Sequence, residues 1–192
     1  DGVRAILARY GSKLTEAQAL KIARVALARG TDPLWLAQLI SLESRFSPTI
    51  TNKSGATGLI QFMPGTTGEL LGWSPWTPEE SYVGKDGVTR RRWSAAQKAK
   101  ATAAIQALSF DEQMDLASRY LQGKSRVTRG LDMMQKLAMA VFYPTAASWP
   151  LDTPFPEYVQ VANNPPGTAP EARTLVTVRD YVSLVFGASA VA

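Results

Sequence analysis

One glutamate occupies an unusual place in this 192-residue sequence. Glu43 falls at helical spacing with Leu36, Leu39 and Ile40, so a helix here would aim its carboxylate at the apolar core side. No other Asp or Glu occurs from residue 44 to residue 68. An acid in apolar surroundings is stabilised in its protonated form, so the pKa of Glu43 is expected to be raised. A general acid that works near neutral pH needs such a pKa.

The alternative for Glu43 is structural, as a glutamate near a helix C-terminus that pairs with Arg45 or another base. The residues that follow favour a catalytic role for Glu43 instead. Gly55 and Gly58 allow positive φ or a close approach of the backbone. Gln61 then lies inside the apolar run LIQFMP, where a polar amide usually has a buried partner, either protein or ligand.

The composition excludes several kinds of site. The chain has no cysteine and no histidine, so disulfides, thiolate metal sites, the usual zinc sites and Ser-His or Cys-His nucleophiles are all absent. Catalysis must rest on carboxylates, hydroxyls, amides or lysines, and we expect no metal and no cofactor. A net charge of +5 favours an anionic partner, such as nucleic acid, a membrane surface or bacterial cell wall.

Two further expectations concern the chain as a whole. No apolar run approaches the ~20 residues of a membrane span, so we expect none. The chain begins at Asp1 without a signal-like segment, which suggests a processed piece of something longer.

Helix signals dominate the first two-thirds of the chain and predict a mainly α protein. Capping boxes are predicted at Thr15, Ser94 and Ser109, each with Gln or Glu three residues later, and Asp32 is a predicted N-cap before Pro33. Helices are expected over residues 2–10, from 16 to a stop at Gly30, over 33–46, 95–107 and 110–122, and from 131 to 143.

We expect a single domain over residues 1–192, with its core at about 12–145. Residues 73–93 are predicted to form an excursion with a short hairpin about Asp86-Gly87. Residues 144–173 hold seven of the twelve prolines and are predicted as extended coil over the surface. Residues 174–187 have a helical period and are expected to pack back as a terminal helix, although their valines also allow a strand.

The segment from Glu43 to Thr66 carries a specific resemblance. The pattern ES-x-F-x-P followed by G-A-x-G-L-x-Q-x-M-P-x-T resembles the signature of lytic transglycosylases of the soluble-transglycosylase (SLT) type. The resemblance implies a lysozyme-like, goose-type helical fold. The matching residues are Glu43, Ser44, Phe46, Pro48, Gly55, Ala56, Gly58, Leu59, Gln61, Met63, Pro64 and Thr66.

The resemblance continues more faintly to about residue 185. Residues 108–122 are similar to a later helix of the family, and TVRDYVSLV is similar to its closing segment. Tyr143 stands where the family has its active-site tyrosine, with Phe142 as the rival, although the following residues depart from the family's pattern. Asn52 occupies a position where a serine is usual. The segments FYPTAAS and VANNPPG resemble the form of this domain that occurs in bacteriophage tail and virion proteins.

The family implies cleavage of the β-1,4 bond between N-acetylmuramic acid and N-acetylglucosamine in peptidoglycan. Glu43 would protonate the glycosidic oxygen and then accept the proton of the muramic acid C6 hydroxyl, closing a 1,6-anhydro ring without water. Tyr143 would orient Glu43 or the leaving group. The substrate-binding residues implied are Gln61, Met63, Asn52, Tyr143, Phe62 and Ser44.

Three alternatives remain open. A goose-type lysozyme would use water and a second carboxylate, for which Asp86, Asp111 and Glu112 are candidates. A catalytically silent wall-binding or virion module is the second, and a nucleic-acid-binding protein, which rests on charge alone, is the third. The leading hypothesis is a phage virion enzyme that acts outside the cell or in the periplasm, with peptidoglycan and other tail proteins as partners and no nucleic acid.

Two groups of residues have a favoured structural interpretation and a weaker functional one. The functional interpretation of Trp73, Trp76, Trp93 and Trp149 is stacking on sugar faces. Ordinary burial or a partly exposed position in a loop is the favoured interpretation for each of them. The run RRR at 90–92 is most simply a solvated turn, and attraction to an anionic glycan or teichoic acid is its functional alternative.

Overall fold

The computed structural model describes residues 1–164 and 168–191, and it confirms that the chain is mainly helical. Residues 165–167 of the proline-rich segment and residue 192 lie outside the described part. Within the described ranges, no helix combines the length and apolar character needed to cross a membrane. The elements are α1 (Gly2–Tyr10), α2 (Glu16–Ala28), α3 (Pro33–Ser44), α4 (Pro64–Leu70), β1 (Glu80–Val83), β2 (Thr89–Arg92), α5 (Ala95–Gln106), α6 (Phe110–Thr128), α7 (Met134–Phe142), α8 (Glu157–Asn163) and α9 (Val178–Phe186).

The predicted helix caps set where these helices begin. All three predicted capping boxes are present at the starts of α2, α5 and α6. At α3, the Asp32 carboxylate accepts hydrogen bonds from the N–H groups of Leu34 and Trp35. A further capping box, formed by Thr177 and Asp180, begins α9. Each box satisfies backbone donors that a helix start leaves open, so these starts are determined locally.

Helix α3 is the centre of the packing. It contacts α1, α2, α7 and α9, and the side chains of Leu36, Leu39 and Ile40 have no exposed surface. Burial of such side chains contributes roughly 1.5–3 kcal/mol each. The helix that carries Glu43 is therefore held from several sides, and its last turn has a fixed position.

The predicted hairpin is confirmed. Strands β1 and β2 pair antiparallel, and Gly87 adopts φ +75° in the turn between them. The three arginines of β2 bind the hairpin itself: Arg90 pairs with Asp86, Arg92 pairs with Glu80, and Arg91 donates to the Pro78 carbonyl at 2.7 Å. This arrangement accounts for the RRR run without an anionic partner.

The C-terminal third contains more helix than its prolines indicate. The segment 144–173 includes α8 and two short 3₁₀ helices, at Pro144–Ser148 and Pro170–Ala172. The valine-rich end is the helix α9, whose Val178, Tyr181 and Val182 are buried. Because α9 packs on α3 and α7, the end of the chain returns to the helix that carries Glu43.

Candidate active site

The carboxylate of Glu43 lies where α3 stops abruptly. Glu43 is in the last turn, which ends at Ser44, and the two residues after the helix, Arg45 and Phe46, both adopt left-handed backbone conformations at φ +53° and φ +66°. Such a conformation costs a non-glycine residue roughly 1–2 kcal/mol. The Phe46 side chain is buried and packs edge-on against Tyr10 at 5.0 Å, which holds the turn in place. The strain lies beside Glu43, as is common at functional sites.

The surroundings of Glu43 favour its protonated form. Burial raises the pKa of Glu43 above its ordinary value of 4.5, and a hydrogen bond from Tyr181 opposes this in part. The Tyr181 hydroxyl donates to Glu43 Oε1 at 2.6 Å. Glu43 therefore has a raised pKa and a fixed orientation, which are the two properties that a general acid requires.

Tyr181 is itself held as a neutral donor. Its side chain is buried, and Phe142 stacks on its ring with centroids 4.1 Å apart and planes at 13°. Burial and the negative charge of Glu43 raise the pKa of Tyr181 well above its usual value. The hydroxyl consequently keeps its proton throughout the pH range in which Glu43 titrates.

The loop after α3 is fastened to α6 by one buried amide. The Gln113 side chain has no exposed surface. Its Oε1 accepts a hydrogen bond from the Leu59 N–H at 3.0 Å. Its Nε2 donates to the carbonyls of Pro48 at 2.7 Å and Ile105 at 2.9 Å. Gly58, at φ +83°, leaves the space that this amide fills. Gln113 was not predicted as a site residue, although a polar residue on the apolar face of a predicted helix usually has a buried hydrogen-bond partner.

A small cleft lies beside this loop. Gln61, Met63 and Tyr120 line it together with Ile60, Phe62, Thr66 and Val141. Gln61 has φ +54°, and its Nε2 donates to the Gly58 carbonyl at 3.1 Å. Met63 is 45% exposed at the cleft, whereas Phe62 is 2% exposed and belongs to the core. The structure thus brings together three of the predicted binding residues, with Phe62 contributing mainly packing.

Tyr120 connects the cleft to Glu43 electrostatically. Burial, then the negative charge of Glu43, then that of Glu69, raise the pKa of Tyr120 to about 12. Its hydroxyl donates to the Ala140 carbonyl at 3.1 Å, which fixes the ring in the wall of the cleft. Tyr120 is a site residue that sequence reasoning did not single out.

Two predicted site residues, Ser44 and Asn52, have partners within the protein. The Ser44 hydroxyl donates to the Ile40 carbonyl at 3.1 Å within α3, and Ser44 is 1% exposed, so it already has a partner inside the helix, and its contact with substrate stays a prediction. The Asn52 Oδ1 accepts from the backbone N–H groups of Ser54 and Ala56, so it shapes the loop, and only its amide nitrogen remains for a ligand.

The orienting tyrosine is not Tyr143. Its hydroxyl forms a hydrogen bond with that of Tyr158 at 3.0 Å, near the surface, whereas Tyr181 supplies the hydroxyl that contacts Glu43. The rival residue, Phe142, stacks on Tyr181 and has no hydroxyl to offer. Tyr143 as a substrate contact stays a prediction.

Three of the tryptophans pack on one another. Trp76 lies between Trp73, at 4.8 Å, and Trp93, at 5.1 Å, and its Nε1 donates to the Pro64 carbonyl at 2.9 Å. Lys100 covers the outer side, with its ammonium 4.5 Å from the Trp73 ring. This cluster supports the start of α4 and agrees with the structural interpretation. Trp149 packs edge-on against Tyr143.

The acids proposed as a second carboxylate have other roles. Asp86 is bound by Arg90 in the hairpin, which holds its pKa at about 2, and Glu112 forms the capping box of α6 with Ser109. Asp111 is exposed in the first turn of α6. The acid whose charge reaches the cleft is Glu69, near the end of α4.

The hydrogen bond from Tyr181 leads to a prediction about pH. Tyr181→Phe removes a donor that stabilises the Glu43 carboxylate, so the pKa of Glu43 should rise further. Activity that needs protonated Glu43 falls as the pH rises through this pKa, so the midpoint of the alkaline decline should move to higher pH. The measurement is the pH profile of kcat/KM for a reaction in which Glu43 is the acid, with Tyr82→Phe on the exposed hairpin as the control. An unmoved midpoint with a lower rate would show that Tyr181 has only a packing role.

Part of the chain is similar in sequence to a known protein family and to two curated proteins. Residues 21–75 match the family model described as the transglycosylase SLT domain. Over 54 residues the chain is 37% identical to the endo-type membrane-bound lytic murein transglycosylase A of two Klebsiella pneumoniae strains. This match covers 26% of the chain and 27% of each relative. No solved structure matches significantly. The matched segment contains Glu43, the following loop and α4.

Proposed function

We propose that this chain is an SLT-type lytic transglycosylase that cleaves the β-1,4 bond between N-acetylmuramic acid and N-acetylglucosamine in peptidoglycan. The observation that carries the proposal is the environment of Glu43, a half-buried carboxyl with a raised pKa that accepts one hydrogen bond from Tyr181. The family match over residues 21–75 supports the substrate class, because Glu43 and Gln61 lie inside the matched segment.

In the proposed reaction Glu43 acts twice. As the acid it gives its proton to the glycosidic oxygen while the bond from that oxygen to C1 of muramic acid breaks. As the resulting carboxylate it takes the proton of the C6 hydroxyl of the same sugar, whose oxygen forms the new bond to C1. The first proton stays on the released hydroxyl, the C6 proton restores the protonated Glu43, the product ends in 1,6-anhydro-muramic acid, and no water is consumed. The hydrogen bond from Tyr181 stabilises the carboxylate in the interval.

The proposed contacts to the sugar come from the wall of the cleft. The Oε1 atom of Gln61 would accept from an N-acetyl amide, and the hydrogen bond from its Nε2 to the Gly58 carbonyl supports this role by holding the side chain. Met63 supplies exposed apolar surface to the sugar ring, and Phe62 supports it from the core. The amide nitrogen of Asn52 is a further donor at the edge of the loop.

The proposed reaction has a direct product test. Purified peptidoglycan is digested with the wild-type protein and with Glu43→Gln, and the ends of the soluble fragments are identified by mass spectrometry. Anhydro-muramic ends from the wild type, absent with the variant, are the expected result. No release by either protein would favour the alternative, a catalytically silent wall-binding module.

Hydrolysis of the same bond is the second candidate function. The observation that favours it is Glu69, a carboxylate whose negative charge reaches Tyr120 in the wall of the cleft. A hydrolase would use such a group to activate water on the far side of the sugar. Reducing muramic ends in the digestion would select this function, with Glu43 still the acid.

The setting of the reaction is also a proposal. We infer that the chain acts on the cell wall outside the cytoplasm, carried by a phage virion and its tail proteins. It is supported by the resemblance of the sequences at 142–148 and 161–167 to phage tail and virion proteins. Residues 165–167 lie outside the described part. Detection of the chain in purified virions by mass spectrometry is the test, and its absence there would contradict this setting.

A further inference from the structure

A groove adjoins the cleft on the side where α4 meets α6. Thr66 and Tyr120 line both spaces, so the two are neighbours on either side of these residues. The groove has a volume of about 160 Å³, compared with about 40 Å³ for the cleft beside Gln61. A substrate bound beside Gln61 therefore has room to extend in this direction.

Two opposite charges face the groove without neutralising each other. Glu69 lies on the α4 side and Lys124 on the α6 side. In the described part of the chain neither forms an ion pair, whether with the other or with any other residue. The Lys124 ammonium lies 5.2 Å from the centre of the Tyr120 ring, which holds it at the groove by a cation–π contact. Both charges remain available for a ligand.

A glycine keeps the α6 side of the groove open. Gly123 lies inside α6 and lines the groove, although glycine costs a helix interior about 1 kcal/mol relative to alanine. A Cβ atom at this position would meet no atom within 4 Å, so packing does not require glycine. Any longer side chain here would extend into the groove.

We propose that this groove binds the peptide stem of muramic acid, with Lys124 on a stem carboxylate and Glu69 on a stem ammonium. The inference rests on the proposed function, which places muramic acid at Glu43. The stem joins muramic acid through its lactyl group and carries free carboxylates together with the amine of a diamino acid. A bare glycan strand offers neutral hydroxyls and N-acetyl groups and leaves both charges unused. Charge-assisted hydrogen bonds would make these contacts strong.

The test compares two substrates. One is intact peptidoglycan, and the other is the same glycan after an amidase has removed the stems. Lys124→Met keeps the packing on Tyr120 and removes the charge, so the ratio of kcat/KM on stem-bearing to stem-free glycan should fall roughly tenfold. Lys13→Met changes the net charge equally in an exposed turn after α1, and it should leave the ratio unchanged.

A second variant separates binding from folding. Gly123→Leu should strengthen α6 while filling the groove, and it should lower the same ratio at least tenfold. Gly123→Ala makes a similar helix gain with only one added carbon, so its ratio should stay near that of the wild type. Thermal melts of both variants check that the helix is intact.

The outcomes separate the two proposals. An unchanged ratio in both Lys124→Met and Gly123→Leu, or equal losses on both substrates, would overturn the stem site and leave the proposed function standing. A wild-type protein that cleaves neither substrate would overturn the proposed function, and the stem site with it.

Discussion

Replacing Glu43 with glutamine is expected to lower the rate of glycan cleavage by roughly 10²–10⁴-fold, the contribution that general acid–base catalysis commonly makes. Glutamine has the shape of the glutamate and still accepts the hydrogen bond from Tyr181, but it has no proton to give to the glycosidic oxygen. The measurement is the release of soluble fragments from purified peptidoglycan under saturating substrate. A variant that retains more than a tenth of the wild-type rate would remove Glu43 from the chemistry.

The same variant should be more stable than the wild type at neutral pH. The folded state raises the pKa of Glu43 above 4.5, so it holds this proton more tightly than the unfolded chain does. The stability contributed by Glu43 is thus fully present below about pH 4.5 and is lost as the pH rises through the folded-state pKa. Thermal melts should show Glu43→Gln melting above the wild type near pH 8, with the difference shrinking towards pH 4.

Gly58→Ala is expected to cause the largest loss of stability. A Cβ atom at this position would lie 2.3 Å from Gln113 Oε1 and 2.7 Å from Ile105 Cγ2, at a backbone φ of +83°. The left-handed conformation costs an alanine roughly 1–2 kcal/mol. Displacing the Gln113 amide leaves buried polar groups unpaired at roughly 1–3 kcal/mol more. The free energy of unfolding should therefore fall by roughly 2–5 kcal/mol, measured by urea denaturation.

Gly30→Ala is the matched control for this loss. Gly30 also has a positive φ, +70°, but a Cβ atom there meets nothing within 4 Å. Only the backbone cost of roughly 1–2 kcal/mol should remain. Equal losses in the two variants would show that the Gln113 amide can move aside and does not hold the loop.

The features that were predictable from sequence are those with local causes. Capping boxes begin α2, α5 and α6 where the Thr and Ser residues lie, because a cap needs only its own four residues. The hairpin turn at Gly87 has a similarly local signal. Glu43 was identified because its apolar neighbours recur at helical spacing on one face.

The features that were missed depend on contacts between distant segments. Tyr181 lies 138 residues from Glu43 in sequence, and only the packing of α9 on α3 brings its hydroxyl to the carboxylate. Tyr143 followed the family pattern, but the chain after α7 turns its hydroxyl towards Tyr158. Ser44 lies next to Glu43 in sequence, yet successive helix residues point in different directions, and its side chain is buried.

The central claim is that Glu43 acts alone, as acid and then as base, without water. Digestion of peptidoglycan in water enriched with heavy oxygen tests this most directly, because hydrolysis places one solvent oxygen on each new muramic end. We expect fragments that carry no heavy oxygen at the new end and terminate in anhydro-muramic acid. Incorporation of one heavy oxygen per cleavage would contradict it and would direct attention to Glu69 as the group that activates water.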